Sequence, residues 1–352
     1  MRVLHLAAGN RWTGAAAPAF AEVAARREAG IDAHYAYVGG YKLQAKLAHV
    51  DFAHPIIAKA QNPASFFRTV NAIGHLVDHH RFDIIHAHLT YDHALAYAVI
   101  RQHQIRLART FHARRVVRRD PFTRLLTNAS ALICVTNEAL GDAAAIRDRH
   151  PLFTPPPVDL QQFTPDGGDV RAQYGIPAGV PLVTVIGKVS KERGFELAIE
   201  TFAQLRGSVP DIRFMIIGHG EHRPALEQLA ARLGVTDRLT WAGYHEDDLA
   251  DHYRATDILL FTASGSDEGH RAVIEAMACG VVPVVVPLDG ISALVDSSLI
   301  AASATATALA DTVTTTLSTN LDALRARLIE RCDQFSYRAA AERLIDAYRI
   351  LL

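Results

Sequence analysis

Residues 257–286 read DILLFTASGSDEGHRAVIEAMACGVVPVVV. Two apolar runs, DILLFTA and VVPVVV, flank RAVIEAMAC, whose apolar positions recur at helical spacing and which stops at Gly280. Apolar runs of about four to eight residues, bounded by turn residues, suit strands buried on both faces. Strand, helix and strand in succession form a βαβ unit, and its right-handed crossover makes the two strands parallel. Between the first strand and the helix, residues 264–270 are expected to form a loop. That places Asp267 and Glu268 in the loop and Glu275 early in the helix, three carboxylates near the place where parallel sheets bind ligands.

The same alternation extends outward in both directions. Upstream, PLVTVIG, RFMIIG and LTWAG read as strands, and GFELAIETFAQLRG, PALEQLAARLG and DLADHYRAT as the helices between them. Before these comes PLFTPPPVDLQQFTPDGGD, whose prolines and glycines suit a linker. The first half repeats the plan, with MRVLHLAA, IDAHYAYV, DIIHAHL, IRLARTF and ALICVT as strands and AAAPAFAEVAARREAG as a helix ending at Gly30. FSYRAAAERLIDAYRILL closes the chain as one amphipathic helix. The expected fold class is α/β, two Rossmann-like doubly wound domains facing across a cleft. The boundaries fall at 1–164 and 165–335, and the helix 336–352 returns to the first domain.

Composition narrows the function classes. At 352 residues, with 49% hydrophobic and 21% charged residues, the chain is long enough for two cores. A net charge of −1 argues against a general nucleic-acid binder. No apolar run reaches the about 18 to 20 residues of a membrane span, and MRVLHLAAGNRWTG lacks a signal-peptide pattern. Cys134, Cys279 and Cys332 are widely spaced in apolar contexts and read as buried reduced thiols of a cytosolic protein.

Chemistry concentrates where strands end. After PLVTVIG come Lys188, Ser190, Lys191, Glu192, Arg193 and Gly194, and then a helix. Cations beside free helix N–H groups suit phosphate oxygens, although a solvated turn is the plainer reading of that stretch alone. Paired acceptors on a carboxylate suit the vicinal hydroxyls of a sugar. His86 and His88 share a strand face in DIIHAHL, but no acidic or thiol partner stands out beside them, so no metal site is expected.

GKVSKERG, the acid pair around GSDEGHRAVIE, and EAMACG followed by VPVV together resemble the donor domain of retaining glycosyltransferase family 4, of the GT-B fold. The resemblance spans almost the whole chain. It implies a glycosyltransferase that moves a sugar from a nucleotide-diphosphate donor to an acceptor hydroxyl in cell-surface glycan, polysaccharide or lipopolysaccharide assembly. By the resemblance Lys188 and Arg193 fall on the diphosphate-binding cations, with residue types exchanged, and Glu275 on the ribose ligand. Counting back from Glu275 places Asp267 on the sugar-binding acid, one methylene shorter than the usual Glu, with Glu268 beside it as the alternative. Gly269, His270 and Arg271 line the same segment. In the first domain Gly14 falls on the glycine loop near the donor phosphates, and His112 on the histidine that faces the transferred sugar. No cofactor or metal is implied. The alternatives are a catalytically silent nucleotide-sugar-binding protein and a GT-B nucleotide-sugar 2-epimerase.

A last feature concerns the acceptor. Between Arg101 and Arg124 eight arginines, among them Arg109, Arg114, Arg115, Arg118 and Arg119, face the single acid Asp120. Interleaved with Val116, Val117 and Phe122, they suggest docking on an anionic membrane, or a grip on a lipid-linked acceptor, at the inner face of the membrane.

Overall fold

Continuous apolar runs are what a parallel sheet covered on both faces demands of its central strands. The computed structural model follows that rule for residues 1–9, 16–59, 62–113, 117–209, 211–263 and 265–352, the side chains of Lys42 and Glu268 excepted. Those residues divide into two units. Met1–Pro157, Ser266–Glu268 and Phe335–Leu352 make the first, and Val158–Gly265 with Gly269–Gln334 the second.

The first unit runs β1 (Arg2–Ala7), α1 (Ala16–Glu28), β2 (Asp32–Val38), α2 (Lys42–Leu47), β3 (Ala53–Ile57) and α3 (Pro63–His80). It continues with β4 (Ile84–Ala87), α4 (Thr90–Ile100), β5 (Arg106–Phe111), α5 (Pro121–Ala129), β6 (Leu132–Val135) and β7 (Leu152–Phe153). Among the described residues its strands are all parallel, in the order β3-β2-β1-β4-β5-β6-β7. The connections run outward one way from β1 and the other way from β4, so the sheet changes direction between these two. Leu4, Leu6, Ile85 and Leu107 are inaccessible or nearly so, and α3 packs Val70, Ile73 and Val77 onto them. A reciprocal capping box starts α3: the Asn62 side chain accepts from Ser65 N–H, and Ser65 Oγ accepts from Asn62 N–H.

In the second unit β8 (Leu182–Ile186), α6 (Phe195–Ser208), β9 (Arg213–Ile217), α7 (Arg223–Arg232), β10 (Leu239–Gly243) and α8 (Leu249–Ala255) come first. Then follow β11 (Ile258–Phe261), α9 (Asp267–Ala278, whose first two residues belong to the first unit), β12 (Val282–Val285), α10 (Ala306–Leu317) and α11 (Leu321–Cys332). Its parallel strands are ordered β10-β9-β8-β11-β12, so this sheet changes direction between β8 and β11. Pro283 sits in β12, at the sheet edge, where a missing N–H is tolerated.

The last helix, α12 (Tyr337–Arg349), belongs to the first unit. Ser336 caps it by accepting from Ala339 N–H at 3.1 Å. Ala341 and Ile345 pack on Ala25 of α1, while Leu344 and Tyr348 join Val3, Ile84, Ala108 and Cys134. Burying side chains of this size is worth about 1.5–3 kcal/mol each, which holds the helix on this unit.

Four details depart from the sequence reading. Helix α9 begins at Asp267, not after His270, so Asp267 and Glu268 occupy its first turn and Glu275 its third. Acidic residues at a helix start complement the macrodipole, which favours a start at Asp267. Strand β3, AHPII, went unread because His54 and Pro55 disguise it. Leu152–Phe153 of the supposed linker pairs with β6 as β7. Val117 and Arg109, counted with the basic surface, are buried: Val117 packs with Phe111, Ile133 and Val135, and Arg109 lies over the Phe111 ring.

Candidate functional site

In an open parallel sheet the ligand crevice lies beyond the carboxyl ends of the strands where the order reverses. In the second unit those strands are β8 and β11, and the two motifs picked out from the sequence follow them directly. Residues 187–194 leave β8 and enter α6 through the short turn Lys191–Arg193. Lys188 is exposed, its Nζ 3.6 Å from Glu221 Oε1, and Arg193 is half-buried. Gly194 has φ +71°, and a Cβ there would lie 2.3 Å from the Thr262 carbonyl oxygen just past β11. Gly218 has φ +136°, and its Cβ would lie 1.9 Å from the Gly187 oxygen. Backbone meets backbone at both places, so only glycine keeps the cationic loop in this path.

From the end of β11 the chain passes Gly265 into α9. Glu275 is buried, accepts from Tyr253 Oη at 3.3 Å, and has Oε1 3.0 Å from Arg271 Nε. Burial raises its pKa, and the Arg271 charge and the Tyr253 hydrogen bond offset part of that rise. Gly269 and His270 are buried in the first turn of the same helix.

The first unit contains the residues that its own direction change brings together. His112 follows β5 directly, and its Nδ1 hydrogen-bonds Asp267 Oδ2. Oδ1 of Asp267 accepts from Thr136 Oγ1 at 2.5 Å and from Ala113 N–H at 3.0 Å. Burial pushes this carboxyl up, but His112, Thr136 and Ala113 outweigh it, so its pKa falls below the usual carboxylate range. His112 Nε2 lies 3.1 Å from His88 Nδ1, and His88 Nε2 lies 2.9 Å from His5 Nδ1. Asp267, His112, His88 and His5 therefore form one buried hydrogen-bonded line. His86 beside it bonds Thr110 Oγ1 at 2.7 Å and the Tyr348 hydroxyl of α12.

The sequence reading found no acid near His86 and His88; the fold supplies one. Glu22 of α1 joins His5, His86 and His88, with ligand-type atoms within 4.8 Å of one another. Arg26, one turn later on α1, holds Glu22 through a 3.3 Å ion pair and a 2.6 Å bond to its carbonyl. Burial, then neighbouring Arg26 or His86, keeps His5 and His88 well below the ordinary imidazole range. A cation in that space would meet a guanidinium, which makes it a poor metal site.

Gly14, Arg114 and Arg115 lie outside the described residues, as does the Glu268 side chain. Arg118 and Arg119 are exposed, just before Asp120, which caps α5 by accepting from Thr123 N–H at 2.9 Å. No helix among the described residues is long and apolar enough to cross a membrane.

Two family models match the chain in succession. Glycosyltransferase Family 4 covers residues 20–162, and Glycosyl transferases group 1 covers residues 168–335. Curated relatives include a D-inositol 3-phosphate glycosyltransferase of Geodermatophilus obscurus, 31% identical over 154 residues, 41% of this chain and 34% of that protein. The 2-deoxystreptamine glucosyltransferase of Streptomyces kanamyceticus is 29% identical over 194 residues, 52% of this chain and 49% of that protein. These matches span a third to a half of the relatives' length. Among solved structures, Anabaena HepE in complex with UDP superposes with a TM-score of 0.84 at 17% identity, over 99% of this chain and 100% of that one. A glycosyltransferase from Rickettsia africae gives the same TM-score at 15% identity, over 99% and 97%. The architecture is thus that of GT-B glycosyltransferases, and the chain belongs to the family 4, group 1 glycosyltransferases.

Proposed function

We propose that the chain is a retaining glycosyltransferase that moves a sugar from a nucleotide-diphosphate donor to an acceptor hydroxyl. The observation that carries this reading is the placement of GKVSKERG and α9 after β8 and β11, the two strands at which the second sheet changes direction. A cationic loop and a carboxylate-bearing helix at one crevice match the two ends of a nucleotide sugar. The HepE structures in complex with UDP and with UDP-glucose support a donor of this class.

In this reading Lys188 and Arg193 stabilise the charge that develops on the departing diphosphate, which is the main electrostatic task of the reaction. Glu275 holds the ribose. Asp267 keeps acceptor capacity on Oδ2 for a sugar hydroxyl while fixing the His112 ring. A donor phosphate oxygen assists attack from the face the leaving group vacates, which retains configuration without a protein nucleophile. The cations replace a metal, so transfer survives EDTA. The acceptor is a glycan or lipid-linked hydroxyl of cell-surface assembly; among the relatives are a GDP-mannose-dependent phosphatidylinositol monomannoside mannosyltransferase and a lipopolysaccharide core glycosyltransferase. Arg118 and Arg119 carry the contact with anionic lipid, and co-sedimentation with anionic and with neutral liposomes checks it.

A second reading, binding of a nucleotide sugar without transfer, is favoured by the three partners that Asp267 already has. One assay separates the two: a panel of nucleotide sugars with and without lipid acceptors, scoring free nucleotide and transferred sugar. Saturable binding with no nucleotide release from any donor would leave the second reading standing.

A further inference from the structure

Away from both direction changes, at the opposite end of the first sheet, three imidazoles converge. His34 stands early in β2, His54 in the edge strand β3, and His80 ends α3. Their ligand-type nitrogens lie within 4.8 Å of one another. His34 Nδ1 is 2.8 Å from His54 Nε2, and the two rings stack with centroids 5.1 Å apart. The His80 ring is 4.6 Å from His34, and Phe82 closes the apolar side against both.

We propose that His34, His54 and His80 bind one transition-metal ion of the zinc class, which staples β3 to β2 and to the end of α3. Two features carry this. First, His34 Nε2 donates to Asp32 Oδ1 at 3.0 Å. A carboxylate that takes the far ring proton fixes the tautomer and leaves the Nδ1 lone pair facing its neighbours, the arrangement that accompanies metal-bound histidine. Second, His54 and His80 are half-buried, which gives an ion a way in, unlike the enclosed cluster around Glu22 and Arg26.

The three nitrogens lie within 4.8 Å of one another and must close on a shared ion. Zinc–nitrogen bonds of about 2.0–2.1 Å at a tetrahedral centre set ligand nitrogens about 3.3 Å apart. His34 and His54 would open by a few tenths of an ångström, and the proton between them would move to the other nitrogen of the His54 ring. Three nitrogens leave the fourth position to water. Asp32 also pairs with Arg2 at 3.2 Å and Arg27 at 3.7 Å, so its carboxylate is held in place. An edge strand of five residues with a proline inside it has few ladder bonds of its own, and a metal staple adds what the sheet there lacks.

The test uses the full chain without a histidine tag, titrated with zinc chloride by calorimetry and with cobalt(II) by visible absorption. One ion per chain, a tetrahedral cobalt spectrum and a raised thermal midpoint with zinc are expected. His54→Gln and His80→Gln should each weaken binding about tenfold or more, and Asp32→Asn about 10–100-fold. His245→Gln, in a separate cluster with Asp248 and His252, should leave the affinity unchanged. A wild-type chain that takes up no zinc and gives no tetrahedral cobalt spectrum overturns the proposal whatever the variants do. So does unchanged affinity in a His54→Gln/His80→Gln double variant whose circular dichroism matches the wild type.

Discussion

Both sheets change direction in the middle, between β1 and β4 in one unit and between β8 and β11 in the other, yet the two places are filled with opposite chemistry. In the first unit His5 pairs in register with His86, and His88 continues the line to His112, all of them buried. In the second unit the matching register sets Val183 against Ile258 and Thr184 against Leu259, none of them ionisable, and Lys188 stands in the loop beyond. The contrast shows that one fold offers two solutions. Imidazole can enter the sheet uncharged because its neutral form is available near pH 7, whereas a buried arginine needs a partner, as Arg26 has in Glu22.

The comparison breaks most visibly at the loop cations. Lys188→Ala and Arg193→Ala should each lower turnover by about 10²-fold or more, as loss of a preorganised electrostatic donor does. Single-turnover rates with the preferred donor check this; near-wild-type rates in both variants would move the charge-stabilising role out of the second unit. Asp267 sharpens the contrast next, because its carboxylate ends the histidine line. Asp267→Asn should cost at least about tenfold more in kcat than Glu268→Gln, since it removes the acceptor that fixes His112. The reverse order would give the sugar-facing role to Glu268.

The smallest effect tests the histidine-filled interior itself. His5, His86 and His88 are lowered by burial and His93, bonded to Ser130 Oγ at 2.8 Å, goes down to about 3. Their folded pKa values lie below the unfolded value of about 6.5, so on acidification the unfolded chain takes up protons that the folded chain refuses. Stability is therefore present above that pH and is lost as pH falls below it, by at most about 1.4 kcal/mol per pH unit for each histidine. Buried Asp92, raised by burial to about 6, and Glu22 work in the other direction, but the histidines outnumber them. Denaturant unfolding at pH 7 and at pH 5 should show the loss, and His93→Gln should make it smaller. An equal loss in that variant would show that His93 does not contribute.

The loops of the second unit were legible because glycine and charge at a strand end carry a local signal. GKVSKERG and the acids before EAMACG could be found without knowing which strands lie side by side; that β8 and β11 are neighbours at the direction change is knowledge only the fold supplies. Glu22 was not legible. In AAAPAFAEVAARREAG it reads as a solvent-facing helix residue, and only the placement of α1 turns it, with Arg26 one turn on, toward the histidines. An i,i+4 Glu–Arg pair flanking the buried stripe Ala19–Val23, beside strands that carry histidine, was the available clue. The edge strand β3 was hidden for a different reason: an edge needs no continuous apolar run, so its pattern is weak.

The placement of α12 sets a clock on synthesis. Its Ala341, Leu344, Ile345 and Tyr348 fill the face between α1 and the sheet of the first unit, yet in the chain they follow the whole second unit. A ribosome adding about 5–20 residues per second needs on the order of ten seconds or more to pass from Pro157 to Tyr337. Throughout that interval Val3, Ala25 and Ala108 wait with an apolar face in water, and by its end the second unit, with nearly all its residues made, is able to fold. The half of the protein made first is therefore the half finished last, and the nascent chain offers a chaperone one defined surface to guard.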